Sequence, residues 1–287
     1  MHIVTDSAAD LMPEEAKSLG ITVAPLYIQF PEGSIHSDQI SADEFYDRLE
    51  AMFPEIPTTS QPSSGAFREL YERLAKVKED ILSVHISSGL SGTIESARAG
   101  YAQLKDNRAQ FVDTLTLSGG ERYQVLAAAL AAKAGWNKDA IVERLRKIRE
   151  STEVVFTLDT LTYLAKGGRI GRVQALAGSL LKLKPLIRVD HNDGKYSTAG
   201  KARTLQKALD GISEHLEKMY GTETPMWVSI MHGRFSSQAE ALANSLQERL
   251  NVARLEVLRI SPVLGVHTGP GVVGAAVVPY QLFEDLL

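Results

Sequence analysis

Ile81-Leu82-Ser83-Val84 is a short aliphatic run that opens into His85-Ile86-Ser87-Ser88-Gly89-Leu90-Ser91-Gly92-Thr93. From Thr93 to about Leu104 the apolar residues Ala97, Tyr101 and Leu104 then fall at helical spacing. Strand, Gly/Ser-rich loop and helix is the unit of a parallel sheet, because parallel neighbours need a crossover long enough to hold a helix. The unit recurs. Ile3-Val4-Thr5 precedes a short helix from about Pro13 to Leu19 stopped by Gly20, and Ala109 to Val112 precedes helical patterns over 122–134 and 138–150. Between them, Ile21 to Phe30 is strand-like and broken at Pro25, and Ser41-Ala42-Asp43-Glu44 is a capping box for a helix reaching about Met52. Pro54 to Ser64 reads as an extended, hydroxyl-rich loop before a helix from about Ala66 to Val77. This alternation predicts an α/β fold whose N-terminal part is a doubly wound, mainly parallel sheet.

The second half has a different rhythm. Val154 to Leu158 reads as strand, Thr160 to Lys166 as a short helix ended by Gly167-Gly168, and Val173 to Leu183 as helix before Pro185. Leu186 to Val189 and Tyr196 to Gly200 flank Asp190-His191-Asn192-Asp193-Gly194, a hairpin signal through Asp-Gly. Helices at about 203–219 and 236–250 alternate with strands at 226–231 and 253–260, and Val272 to Val278 is the last strand before a short closing helix. A hairpin inside such an alternation predicts a C-terminal α+β domain with a mixed sheet. The expected division is 1–157 and 158–287. With no internal repeat or low-complexity linker, the two domains are expected to pack closely.

At 287 residues the chain is long enough for two domains, and 44% hydrophobic with 23% charged residues supplies ample material for a core. A net charge of −4 gives no electrostatic reason to expect nucleic acid or a membrane surface as partner. The absence of cysteine excludes disulfides, thiolate catalysis and cysteine-ligated metals. The N-terminus enters a strand-like run at His2, and no stretch reaches transmembrane length without charges, so a soluble, cytoplasmic protein without stable membrane insertion is expected.

The loop at 85–93 is placed at the carboxyl end of a strand and the amino end of a helix, where open α/β sheets hold ligands. Unpaired N–H groups there suit an anion, serine and threonine add hydroxyl donors, and Gly89 and Gly92 let a backbone approach closely. The plain alternative is a turn that caps a helix. Helix capping by Asp6, Ser7 or Asp10 is a better reading of this segment than a metal site. Gly269-Pro270-Gly271-Val272-Val273-Gly274 matches the dinucleotide pattern, but Ala275 to Val278 continues as strand, which argues against nucleotide binding. His267 and Thr268 remain as a loop histidine and hydroxyl. Gly89-Leu90-Ser91-Gly92-Thr93 approaches a hydrolase elbow without its last glycine. The alternative function is therefore a serine-dependent lipid or ester hydrolase, with Ser91 as nucleophile, His267 as base and Asp159 or Asp113 as orienting acid. Arg169, in Lys166-Gly167-Gly168-Arg169-Ile170-Gly171, could hold a carboxylate or phosphate or pin a domain interface. Lys182, Lys184, Arg188, Lys201, Arg203 and Lys207 form a loose basic cluster whose ordinary meaning is a solvated face.

Ile3-Val4-Thr5-Asp6-Ser7, Thr59-Ser60-Gln61-Pro62-Ser63, Ile86 to Thr93, Gly167-Gly168-Arg169-Ile170, Lys184-Pro185 and His267-Thr268-Gly269-Pro270-Gly271 occur in one order along nearly the whole chain. In this the chain resembles the bacterial DegV family of fatty-acid-binding proteins, which includes the FakB acyl carriers of fatty acid kinase. The resemblance implies a two-domain α/β protein holding a long-chain fatty acid, such as a sixteen- or eighteen-carbon acid, in an apolar tunnel between domains. It assigns Thr59 and Ser91 to the carboxylate, with Ser88, Gly92, His267 and Thr268 in the same site and Arg169 in support. It further implies no metal or other cofactor and no catalysis by the chain itself. The acid would be presented to a separate ATP-dependent fatty acid kinase in phospholipid metabolism, with Arg203, Lys201 and Lys207 facing the kinase. One departure stands out: Ser118-Gly119-Gly120-Glu121-Arg122 replaces the family's usual Ser-Met-Gly-x-Gly, which bears on the packing of the following helix and the shape of the tunnel. Burying a sixteen-carbon chain gains roughly 11 kcal/mol gross at about 0.8 kcal/mol per CH₂, provided the carboxylate meets donors.

Overall fold

The computed structural model describes residues 1–179 and 183–287. The first half supplies β1 (His2–Asp6), β2 (Ile21–Ala24), β3 (Tyr27–Phe30), β4 (Gly33–His36), β5 (Thr58–Ser60), β6 (Ile81–His85) and β7 (Ala109–Asp113). Between and after these come α1 (Pro13–Leu19), α2 (Ala42–Met52), α3 (Ser64–Leu74), α4 (Thr93–Tyr101), α5 (Ser118–Lys133) and α6 (Lys138–Ser151). A four-stranded sheet runs β2-β1-β6-β7 with all pairings parallel, as the strand–helix alternation predicts. Ser41 and Ser63 cap α2 and α3 by accepting from the backbone N–H three residues on.

The second half supplies β8 (Glu153–Leu158), α7 (Thr162–Lys166), β9 (Lys184–Val189), β10 (Tyr196–Ala202), α8 (Leu205–Tyr220), β11 (Met226–His232), α9 (Ser236–Arg249), β12 (Val252–Arg259), α10 (Pro262–Thr268) and β13 (Val272–Pro279). These strands form a six-stranded sheet in the order β10-β9-β8-β13-β11-β12. It is mixed: β11 and β12 pair parallel, the other neighbours antiparallel. The Asp-Gly hairpin is present as β9–β10.

α5 lies between the two sheets and packs on both, so almost its entire surface is buried. That explains the unbroken apolar run from Val125 to Ala132, since a helix segment with no solvated face has no reason to be amphipathic. Tyr123 of α5 donates its hydroxyl to Ala276 O at 2.9 Å and lies 3.1 Å from Trp227 O, both in the six-stranded sheet. The fully buried Arg122 pairs with Glu15 of α1 at 2.8 Å and Glu256 of β12 at 3.1 Å. One continuous apolar core joins Ile3 and Leu82 to Phe156 and Trp227. α3 and α4 cover the far face of the parallel sheet, and α8 and α9 the far face of the mixed one.

Several sequence expectations change. β8, assigned by the 157/158 division mostly to the N-terminal domain, lies inside the six-stranded sheet. Sheet membership therefore changes over before residue 153. The loop over 54–64 contains β5, which joins β3 and the unforeseen β4 in a three-stranded antiparallel sheet. His267 and Thr268 are the last residues of helix α10 rather than loop residues. The helix expected over 173–183 is a 3₁₀ helix over Gly171–Ser179, and residues 180–182 lie outside the described residues.

Candidate functional site

β6 delivers the Ser/Gly-rich loop to the carboxyl edge of the parallel sheet, where Ser91 N donates to Ser87 O at 3.0 Å just before α4. The β9–β10 turn closes over this loop. Ser87 Oγ donates to Gly194 O at 2.9 Å and accepts from Gly89 N at 3.0 Å, so Ser87 braces the loop rather than facing a ligand.

Four polar side chains from separate segments meet at one cavity: Thr59 of β5, Ser91, Arg169 from the turn after α7, and His267 of α10. Thr59 Oγ1 and His267 Nε2 are 2.7 Å apart, and Ser91 Oγ shares a 2.8 Å hydrogen bond with Thr93 Oγ1. Arg169 donates to Gly167 O at 2.8 Å and reaches Leu90 O at 3.4 Å. Its guanidinium has no carboxylate partner among the described residues, which leaves positive charge beside the cavity. Burial pushes the His267 imidazole down to about 3, and the neighbouring Arg169 adds to the effect, so the ring is neutral near pH 7. His267 Nδ1 is buried without a partner among the described residues. A Cβ on Gly167 would collide with that nitrogen, so glycine here lets the backbone roof the imidazole.

Leu117, Tyr196 and Leu264 belong both to this cavity and to an adjoining chamber. The chamber is walled mainly by apolar groups such as Val154, Phe156, Met231 and Val272. A few convergent polar groups at the mouth of a largely apolar space is the geometry of a small-molecule site. It suits a ligand with one anionic end and a long apolar body.

The remaining candidates sit elsewhere. Ser88 is exposed with its N–H on Asp113 Oδ1 at 3.2 Å, and Gly92 is an exposed N-cap residue of α4; neither lines the cavity. Thr268 lines the inner chamber, with its hydroxyl donating to Leu264 O at 3.1 Å. Lys201 and Arg203 are exposed at the end of β10 and before α8, and Lys207 is exposed in the first turn of α8. Lys184 is tied to Asp159 O at 2.7 Å and Arg188 to Glu153 at 2.7 Å, while Lys182 lies outside the described residues.

The hydrolase relay is not assembled. A triad needs the histidine between nucleophile and acid, but His267 Nε2 meets Thr59, Ser91 meets Thr93, and among the described residues no carboxylate reaches His267 Nδ1. Asp113 instead accepts from Ser88 N and Leu115 N. Asp6 does cap the following turn, accepting from Ala8 N at 3.0 Å, and also holds His85 Nδ1 at 2.9 Å. His85 continues to Ser83 and Tyr71 at 2.8 and 2.7 Å in a fully buried chain that braces the sheet interior. No group of three or more potential metal-ligating side chains occurs among the described residues. Leu117, Tyr196, Met231 and Ile260 were not identifiable from sequence, because lining and core residues share one composition.

The model of the DegV family matches residues 1–280. A DegV domain-containing protein of Deinococcus radiodurans is 37% identical over 279 residues, covering 96% of this chain and 98% of the relative. Among solved structures, a fatty-acid-binding DegV family protein from Thermus thermophilus superposes with a TM-score of 0.90 at 31% identity, covering 97% of this chain and 99% of that one. A stearic-acid-binding protein from Eubacterium ventriosum gives 0.89 at 25% identity, covering 100% of both. Agreement in sequence over 1–280, in both sheets and in their connection establishes that the chain belongs to the DegV family.

Proposed function

We propose that this protein binds one long-chain fatty acid, with the carboxylate held by Ser91 and Thr59 and the acyl chain in the apolar chamber beyond Leu117, Tyr196 and Leu264. The observation that carries the reading is the convergence of Thr59, Ser91, Arg169 and His267 at the mouth of that chamber. With His267 neutral, its Nε2–H donates to Thr59 Oγ1, which leaves the Thr59 hydroxyl proton for the carboxylate. Arg169 compensates the buried charge from behind, as a desolvated carboxylate requires. The acid then lies between two structural units whose division is best drawn just before β8.

Hydroxyls hold a carboxylate without activating it, so the chain acts as a cytoplasmic carrier rather than an enzyme. The chemistry is left to an ATP-dependent fatty acid kinase that docks on the exposed cations Arg203 and Lys201. Mass spectrometry of a solvent extract of the purified protein is expected to show near-equimolar long-chain acid. An extract without acyl chains, together with no binding of added acid, would refute the lipid reading. Arg203→Ala is expected to lower acyl phosphate formation by the kinase while the acid still binds. A kinase that ignores the loaded wild-type protein would remove the carrier role and leave lipid binding alone.

A further inference from the structure

Ser118, Met231 and Ile260 also line the inner chamber. Ile260 also lines a groove of about 650 Å³ on the other side, together with Asp10, Leu11, Met12 and Pro262. The wall between the two spaces is built around one hydrogen bond: Ser118 Oγ, on the chamber side, donates to Asp10 Oδ2, on the groove side. Ser261 N holds the second carboxylate oxygen of Asp10 at 2.9 Å. Both partners are nearly buried, at 4% and 8% exposure. Both also have left-handed backbones, φ 52 at Ser118 and φ 49 at Asp10, a conformation uncommon outside glycine that concentrates where surroundings over-determine a residue. Met231 Sδ completes the closure, 3.0 Å from Ser118 Oγ and accepting from Gly119 N at 3.2 Å. A Cβ on Gly119 would lie 2.9 Å from that sulfur, so Met231 occupies the space a side chain at 119 would take.

We propose that the Asp10–Ser118 pair, with Ile260 beside it, is the stop at the methyl end of the acyl chamber and sets the longest acid this protein accepts; the inference rests on the fatty-acid reading above. A chain longer than the chamber must displace Ser118 and strip a buried carboxylate of a donor, whereas one that ends at the wall leaves the pair intact. Beyond the wall the groove presents Leu11, Met12 and Pro262, so methylenes that pass through it meet apolar surface.

The test is the affinity of the full chain for straight saturated acids of increasing length, read by displacement of a fluorescent acyl probe. Ser118→Gly removes the hydroxyl at a position where glycine is at ease, and Ile260→Ala thins the same wall at a residue that faces both spaces, should the glycine variant fail to fold. The wild type is expected to show a length beyond which affinity falls. In either variant that limit should move out by two or more carbons. The affinity ratio of an acid two carbons past the wild-type limit to one at the limit should rise about tenfold or more, from about 0.8 kcal/mol per added CH₂. Unchanged length profiles in the folded variants would overturn the proposal while leaving lipid binding in place. A wild type that binds no acid of any length would overturn the fatty-acid reading, and this inference with it.

Discussion

Thr59 Oγ1 and His267 Nε2 lie 2.7 Å apart although 208 positions separate them in the chain. Thr59 arrives on the three-stranded sheet and His267 at the end of α10, and the contact places a neutral imidazole behind a hydroxyl at the cavity mouth. The imidazole orients the hydroxyl without bringing a charge of its own.

If Thr59 and Ser91 hold the same carboxylate, Thr59→Val and Ser91→Ala should each weaken fatty acid binding about ten- to a hundredfold, from roughly 1.5–3 kcal/mol per hydrogen bond to a charged group. The double variant should lose less than the sum, because the two donors serve one acceptor. Competition against a fluorescent acyl ligand measures both effects. Wild-type affinity in both single variants would put the carboxylate elsewhere.

Gly167→Ala tests the roof over His267. The added Cβ collides with Nδ1, so the ring must move and its contact with Thr59 must break. Affinity for the acid should fall about tenfold, comparable to loss of one such hydrogen bond. Circular dichroism should stay that of the wild type. Retained affinity would show that His267 does not position Thr59.

The neutral, buried state of His267 predicts an acid-sensitive contribution to stability. Its folded value is about 3 against the ordinary 6.5, so the unfolded chain takes up the proton first as pH falls. Stability from this group is complete above about 6.5 and is lost progressively down to about 3. Between pH 7.5 and 4.5 the loss amounts to about 3 kcal/mol. His267→Asn lacks this loss, so the difference in unfolding free energy between wild type and variant should shrink by about that amount over the same interval. Asp10, raised by burial to about 6, acts in the opposite direction in both proteins and cancels in the difference. A difference that does not vary with pH, in urea titrations, would contradict a buried neutral imidazole.

Glu153 is the main ionic clamp inside the mixed sheet. Burial alone would raise its carboxyl, but hydrogen bonds from His191, His215 and Arg188 hold it below the ordinary range. The Arg188 pair is bidentate at 2.7 and 2.8 Å. Glu153→Ala should cost about 3 kcal/mol, the lower end for a broken buried pair, because Arg188 keeps partial access to water. Chemical denaturation measures this directly, and a loss under about 1 kcal/mol would mean that solvent already satisfies the three partners.

The alternation of apolar runs and helical spacing was enough to foresee a parallel sheet, a mixed sheet and the β9–β10 hairpin, because each depends on local periodicity and on turn chemistry at Asp193-Gly194. It also disposed of the dinucleotide pattern at 269–274, whose last residues lie in β13 between two antiparallel neighbours. α10 was not legible. Pro262-Val263-Leu264-Gly265-Val266 has weak helix propensity, and the segment is helical because burial against α2, β3 and β5 outweighs it.

Within the loop after β6 the letters for Ser88 and Ser91 are equivalent, yet one faces solvent and the other the cavity. Residue types and their order along the chain determined the family-like motifs and the class of ligand chemistry they can serve. Tertiary structure decided which hydroxyls meet the imidazole, which apolar residues enclose empty space rather than core, and which polar pair, Ser118 and Asp10, lies between that space and the neighbouring groove. The reason is physical: apolar burial is rewarded alike in a core and in a ligand chamber, so only long-range packing separates the two.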